Sequence, residues 1–268
     1  MTNKSKQQTK PVTRPFLRGS LTDERTAGQA AGFFGVLLLM ALLTFIICSA
    51  MGLQNAVLRI GLNVLVEAVL LMIMYSNAIG RGTDAVARGE ILYQRQEKGH
   101  PFTEKERAVC FHPMKGYMTG LLGTLPLLLC AIGLAVLAER QSTGIGALPS
   151  WMNNYLRRSE IGDALTAYTV REGITLTEIL RIIVRVAIMP FVSMVGAENR
   201  DGMLIIERLS PLLVLLPALA YGTGYLQGPA ERTKVHTGIA RSNRNRARKE
   251  RRERKARAAR PRGPEQLN

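Results

Sequence analysis

Long apolar runs alternate along the chain with short, highly charged segments, and the lengths of the runs set the first expectation. A helix needs about 20 mostly apolar residues to cross the hydrocarbon of a bilayer. Residues 28–53 supply that length without one charged side chain. Residues 56–80 supply it again after a tight turn at Gln54–Asn55, and carry Arg59, Asn63 and Glu67. Residues 117–138 form a third run, with Pro126 near the middle as a point of bending. The fourth, residues 209–227, has Pro211 at its start and Pro217 inside. It ends on Tyr221 and Tyr225, where an interfacial aromatic belt would sit. These runs predict four membrane-spanning helices. The first starts too late and runs too long for a cleavable leader, so none is expected.

A further segment, 175–195, is apolar on one side only. Thr175 followed by Glu178 is a capping-box start. Glu178, Arg181 and Arg185 then recur on one face, with Ile, Leu and Val on the other, until Pro190 interrupts the pattern. Two placements compete: a helix lying in the interface or re-entering from it, or a full crossing whose charged stripe faces the bundle interior.

Charge distribution favours the first placement. The formal net charge of +16 is uneven: +4 in residues 1–27, +2 in 81–116 and +10 in 228–268, against −1 in 139–207. Basic segments flanking spans stay on the cytoplasmic side, which predicts that both termini are inside. Four crossings satisfy this, whereas a fifth at 175–195 would export the basic tail. The expected fold is all-α, a polytopic integral membrane bundle of four transmembrane helices plus one amphipathic or re-entrant helix, ending in a disordered basic tail. Its segments are a basic cytoplasmic stretch (1–27), a transmembrane hairpin (28–80), a charged cytoplasmic loop (81–116) and a third span (117–138). An external segment (139–208), a last span (209–227) and an Arg-rich cytoplasmic tail (228–268) complete it. The expected location is the inner or plasma membrane of a cell.

Between Arg241 and Arg262 the tail holds twelve Lys and Arg and only two acids. The candidate polyanion-binding residues are Arg241, Arg244, Arg246, Arg248, Lys249, Arg251, Arg252, Arg254, Lys255, Arg257 and Arg260. Too few apolar residues accompany them to bury a face, so the tail is expected to be disordered or marginally helical until a polyanion neutralises it. No aromatic residue interleaves the arginines, which argues against base stacking and leaves phosphate-directed, salt-sensitive binding. The expected partners are the lipid bilayer and, through the tail, anionic lipid headgroups or RNA such as the ribosome's. A protein partner or a second copy is the further option, and the plainest alternative is a topology anchor.

Glu67 is the most informative single residue. A lone carboxylate at the bilayer centre costs on the order of 3 kcal/mol. Arg59 and Asn63 precede it at steps of four and share its face, but Arg59 lies about 12 Å away along the helix and reaches the interface instead. Arg181 or Arg185 is the expected partner. The candidate polar intramembrane site is therefore Glu67, Asn63, Arg59, Arg181 and Arg185. It lines a pathway, or else forms an ion pair that only locks helix packing.

The remaining features carry little chemistry. Cys48 and Cys130 lie in apolar runs, and Cys110 lies near His100 and His112 in a charged loop without zinc-site spacing, so no metal or cofactor is expected. Gly222, Gly224 and Gly228 end a span rather than follow a strand, which voids a phosphate-loop reading. Gly28, Gly32 and Gly35, like Gly116 and Gly120, are expected to let helices approach closely. With no nucleophile or metalloprotease motif, the expected function is non-enzymatic: a transport-related, permease-like component. The alternative is a membrane scaffold or assembly factor acting through its tail.

Overall fold

A computed structural model describes residues 11–50, 55–139, 152–158, 160–169, 175–196 and 199–259. The helices are α1 (Thr26–Ala50), α2 (Ala56–Glu97), α3 (Glu104–Ala108), α4 (Lys115–Leu137) and α5 (Asn153–Leu156). They continue with α6 (Gly162–Thr169), α7 (Leu176–Ala187), α8 (Met189–Val195), α9 (Arg200–Leu226) and α10 (Gly228–Ala259). No strand occurs among the described residues. Four helices are long and apolar enough to cross a membrane, namely α1, α2, α4 and α9, the last running on into α10. The all-helical polytopic bundle expected from the apolar runs is the observed architecture.

Local signals explain the boundaries. Asn55 caps α2 by accepting from the backbone N–H of Val57 and Leu58; Gln54 of the expected turn lies outside the described residues. At 42 residues α2 is about 63 Å long, twice the hydrocarbon thickness, so its charged second half projects beyond the apolar zone. The last span begins earlier than expected, at Arg200 rather than residue 209, which puts Pro211 inside the helix. Asn199 starts it, its side-chain oxygen accepting from Gly202 N at 2.9 Å. Glu207 is tolerated within it because it is fully paired, as described below.

Glycines bring α2, α4 and α9 together. A Cβ at Gly224 would lie 2.3 Å from the Tyr75 carbonyl oxygen of α2, and one at Gly116 would lie 2.4 Å from Tyr225 Cβ. Gly120 abuts Ala218, and Gly82 abuts the α9–α10 junction at Gly228. Close approach therefore holds for Gly116 and Gly120, and it is the role of Gly222, Gly224 and Gly228 too. It does not hold for Gly28, Gly32 and Gly35, where a Cβ would meet nothing within 4 Å. The buried stripe of α1 runs through Ala30, Phe33, Leu37, Ala41, Thr44 and Cys48, and those three glycines fall off it. The α1–α4 approach is made from the other side, by Gly123 against Phe33.

Tyr221 and Tyr225 also depart from expectation. They are buried rather than set in an interfacial belt, Tyr221 edge-on to Phe33 and Tyr225 stacked on Phe111. Such ring pairs contribute about 0.5–1.5 kcal/mol beyond their area burial, which favours the packed position.

Both described ends of the chain lie at one end of the bundle, the basic face. The segment before α1 laces that face together: Leu17 N donates to Gly89 O, Gly19 N to Phe111 O and Val12 N to Thr237 Oγ1. Glu90 of α2 pins α10 by accepting from Arg232 Nε at 3.0 Å and lying 2.7 Å from His236 Nε2. Beyond Ala240 every described side chain of α10 through Lys255 is exposed.

Candidate functional site

Thr175 and Glu178 form the capping box that the sequence predicts, and α7 starts there. The helix breaks at Ile188, which is 2% exposed. Pro190 falls in the first turn of α8, where its missing N–H has no intrahelical partner to lose.

Neighbours along the two helices fix their direction. Arg181 donates from Nη2 to the Glu139 carbonyl just past the end of α4, and Leu180 lies against Gly133. At the break, Ala187 and Ile188 line a cavity with Leu127 and Glu67. Leu127 is ten residues from the end of α4, about 15 Å, or half the thickness of a bilayer's hydrocarbon. From there α8 returns along α2: Ser193 Oγ accepts from Asn63 Nδ2 at 3.0 Å, and Gly196 lies against the Arg59 guanidinium. The chain thus descends beside α4 and climbs beside α2. Of the two placements open to residues 175–195, the structure adopts the re-entrant one.

The charged stripe of α7 faces α9. Glu207, 1% exposed, accepts from Arg181 Nε at 2.7 Å and Nη2 at 3.1 Å, and from both Nε and Nη2 of Arg185. This corrects the expected pairing, because Arg181 and Arg185 belong to Glu207 and not to Glu67. Sequence reasoning missed Glu207 because it placed the residue in the external segment, ahead of the span. The available signal was an acid embedded among Leu204, Ile205, Ile206 and Leu209.

Glu67 itself has no hydrogen-bond or ion-pair partner among the described residues. It lines a cavity of about 20 Å³, room for about one water, walled by Leu37, Ala41, Leu70, Leu127 and Phe191. Asn63, one turn away, is fully buried and satisfied: its amide donates to Arg59 O and Ser193 Oγ, and its oxygen accepts from Cys48 Sγ. Arg59 keeps its Nε buried against the end of α8 without a partner among the described residues, so it only partly reaches the interface. Five predicted residues therefore separate into two groups, Arg59–Asn63–Glu67 along α8 and Arg181–Arg185 with Glu207.

A second buried ion pair braces the basic face. Lys115 donates from Nζ to Asp23 Oδ2 at 2.7 Å and to Ala108 O at 2.9 Å, with both charged side chains 2% exposed. Burial pushes the Asp23 carboxyl up, but the hydrogen bonds from Lys115 and Thr26 and the Lys115 charge together hold it below its ordinary value. Sequence reasoning singled out neither residue.

The tail cations Arg241, Arg244, Arg246, Arg248, Lys249, Arg251, Arg252, Arg254 and Lys255 are all exposed on α10. Five of them, Arg248, Arg251, Arg252, Arg254 and Lys255, line one open groove with no acid among its described residues. Arg257 lies within the helix, and Arg260 lies outside the described residues. Cys110 is buried, and His112 Nδ1 accepts from Met114 N. No group of three His, Cys, Asp or Glu that could hold a metal occurs among the described residues. No protein-family model, no curated protein and no solved structure matches this chain.

Proposed function

We propose that the chain is a permease-like membrane component that moves a proton or small cation, with Glu67 as its binding group. One observation carries this reading: an uncompensated carboxylate stands at the break of a re-entrant helix pair, halfway along the apolar bundle. Arg181 and Arg185 are both bound by Glu207, so neither pairs with Glu67, and ion pairing within the bundle gives no reason to keep it. Interrupted helices at membrane depth are tolerated where they are buried in protein or line a cavity, and transport sites are commonly built from them. The carboxyl end of α7, the negative pole of its dipole, abuts the same cavity through Ala187 and Ile188 and favours a cation there. Space for about one water suits a proton or a largely dehydrated ion. Charge asymmetry supports a cytoplasmic basic face.

The test is uptake of protons, and separately of radioactive sodium, into liposomes holding the purified protein under an imposed potential. Wild type exceeds protein-free liposomes for one of the two, and Glu67→Gln abolishes the excess. No wild-type excess for either ion, or equal flux in the variant, overturns the reading.

A second reading rests on α10. Its acid-free groove of five cations supports recruitment of a phosphate-rich partner, RNA or anionic headgroups. Fluorescence anisotropy of a labelled oligouridylate with the detergent-solubilised full chain should show binding that weakens steeply with salt. Binding should vanish when Arg248, Arg251, Arg252, Arg254 and Lys255 are changed to Gln; retained binding contradicts the RNA form of this reading.

A further inference from the structure

A further cavity lies apart from Glu67. It occupies about 440 Å³ on the basic face, between the segment preceding α1, the projecting half of α2, and α3. That volume falls within the range of small-molecule sites. Ile91, Leu92 and Val109 supply an apolar floor, and four cations and three acids stand around it. The acids are already engaged. Glu106 pairs with Arg95, Glu24 with Lys105, and Asp23 with the buried Lys115. Asp23 also accepts from Arg25 N and Thr26 Oγ1, which fixes the backbone from which Arg25 projects.

Arg25 and Arg88 are what remains. Neither guanidinium has a hydrogen-bond or ion-pair partner among the described residues, and both line the cavity. Two fork-shaped donors without an internal acid match a phosphate, which accepts bidentate guanidinium contacts. The apolar floor beside them matches the carbon portion of a phosphate ester. Arg25 immediately precedes the first residue of α1, so the cavity opens where the apolar span begins, at headgroup depth.

We infer that this cavity binds a phosphate ester through Arg25 and Arg88, with its carbon body on Ile91, Leu92 and Val109. The shared chemistry is a phosphate on a glycerol-sized carbon body, taken from an anionic phospholipid or from a soluble phosphate ester. The site is independent of the reading of Glu67 and stands or falls separately.

Thermal unfolding of the full chain in maltoside detergent tests it, with phosphatidylglycerol, phosphatidylcholine and glycerol 3-phosphate as probes. At about a hundredfold excess over Kd, ligand binding raises the midpoint on the order of 5 °C. Phosphatidylglycerol alone giving that rise marks a lipid site; glycerol 3-phosphate giving it as well marks a site for soluble esters. In either case the rise is lost in Arg25→Gln/Arg88→Gln and in Ile91→Trp, which fills the floor. It persists in the full chain carrying Arg251→Gln, Arg252→Gln and Arg254→Gln, which removes tail electrostatics. An unchanged rise in the Arg25/Arg88 variant overturns the inference. So does a rise abolished by the tail substitutions, an equal rise with phosphatidylcholine, or no rise with any probe.

Discussion

Replacing Glu207 with Ala should lower the unfolding midpoint of the detergent-solubilised protein on the order of 10 °C. The substitution leaves the Arg181 and Arg185 guanidiniums, 11% and 24% exposed, facing each other without the carboxylate that binds both. Breaking a buried pair by removing one partner costs about 3–5 kcal/mol, because the remaining charge is stranded in a low-dielectric site. For a chain of this size each kcal/mol corresponds to about 2–4 °C. Glu207 also holds α7 against α9, so its loss should loosen the re-entrant pair. Changing all three residues to Met should be less damaging than Glu207→Ala alone, since no charge is then left buried. A Glu207→Ala midpoint within a degree or two of wild type would contradict the assignment of Arg181 and Arg185 to Glu207.

Glu67→Gln should behave in the opposite way. A lone carboxylate in an apolar cavity costs on the order of 3 kcal/mol, and no described residue offsets it. The amide keeps the shape and removes that cost, so the unfolding midpoint should hold or rise while ion uptake falls to the level of protein-free liposomes. The two variants thereby separate a charge that maintains packing from one that serves function. Glu67→Gln with lowered stability and unchanged uptake would reverse the roles assigned here.

Much of the fold could be read directly from the chain. The four spans and the capping box at Thr175 follow from local signals that act within a few residues of where they are written. What could not be read were partnerships between distant segments. Arg181 and Arg185 lie on the predicted face of α7, but the face alone does not say whether Glu67 or Glu207 stands opposite. The depth of α7–α8 was equally hidden, because an interfacial and a re-entrant helix bury the same apolar stripe. Gly28, Gly32 and Gly35 have the small-residue spacing of a packing face, yet Phe33 and Leu37 commit α1 to another side. Lys115 and Asp23 lie 92 positions apart, and no spacing rule links them.

Residues 175–195 enter and leave the apolar bundle on the same side, bringing Ile188 beside Glu67. Side-specific labelling with a membrane-impermeant maleimide tests this. The variants carry a single cysteine at Glu139, Asn199 or Arg244, with Cys48, Cys110 and Cys130 replaced. In intact cells the expected result is labelling at 139 and 199 alike and protection at 244 until the membrane is opened. Labelling of 139 and 199 from opposite sides would mean that the segment crosses the membrane instead of returning to the side it entered from.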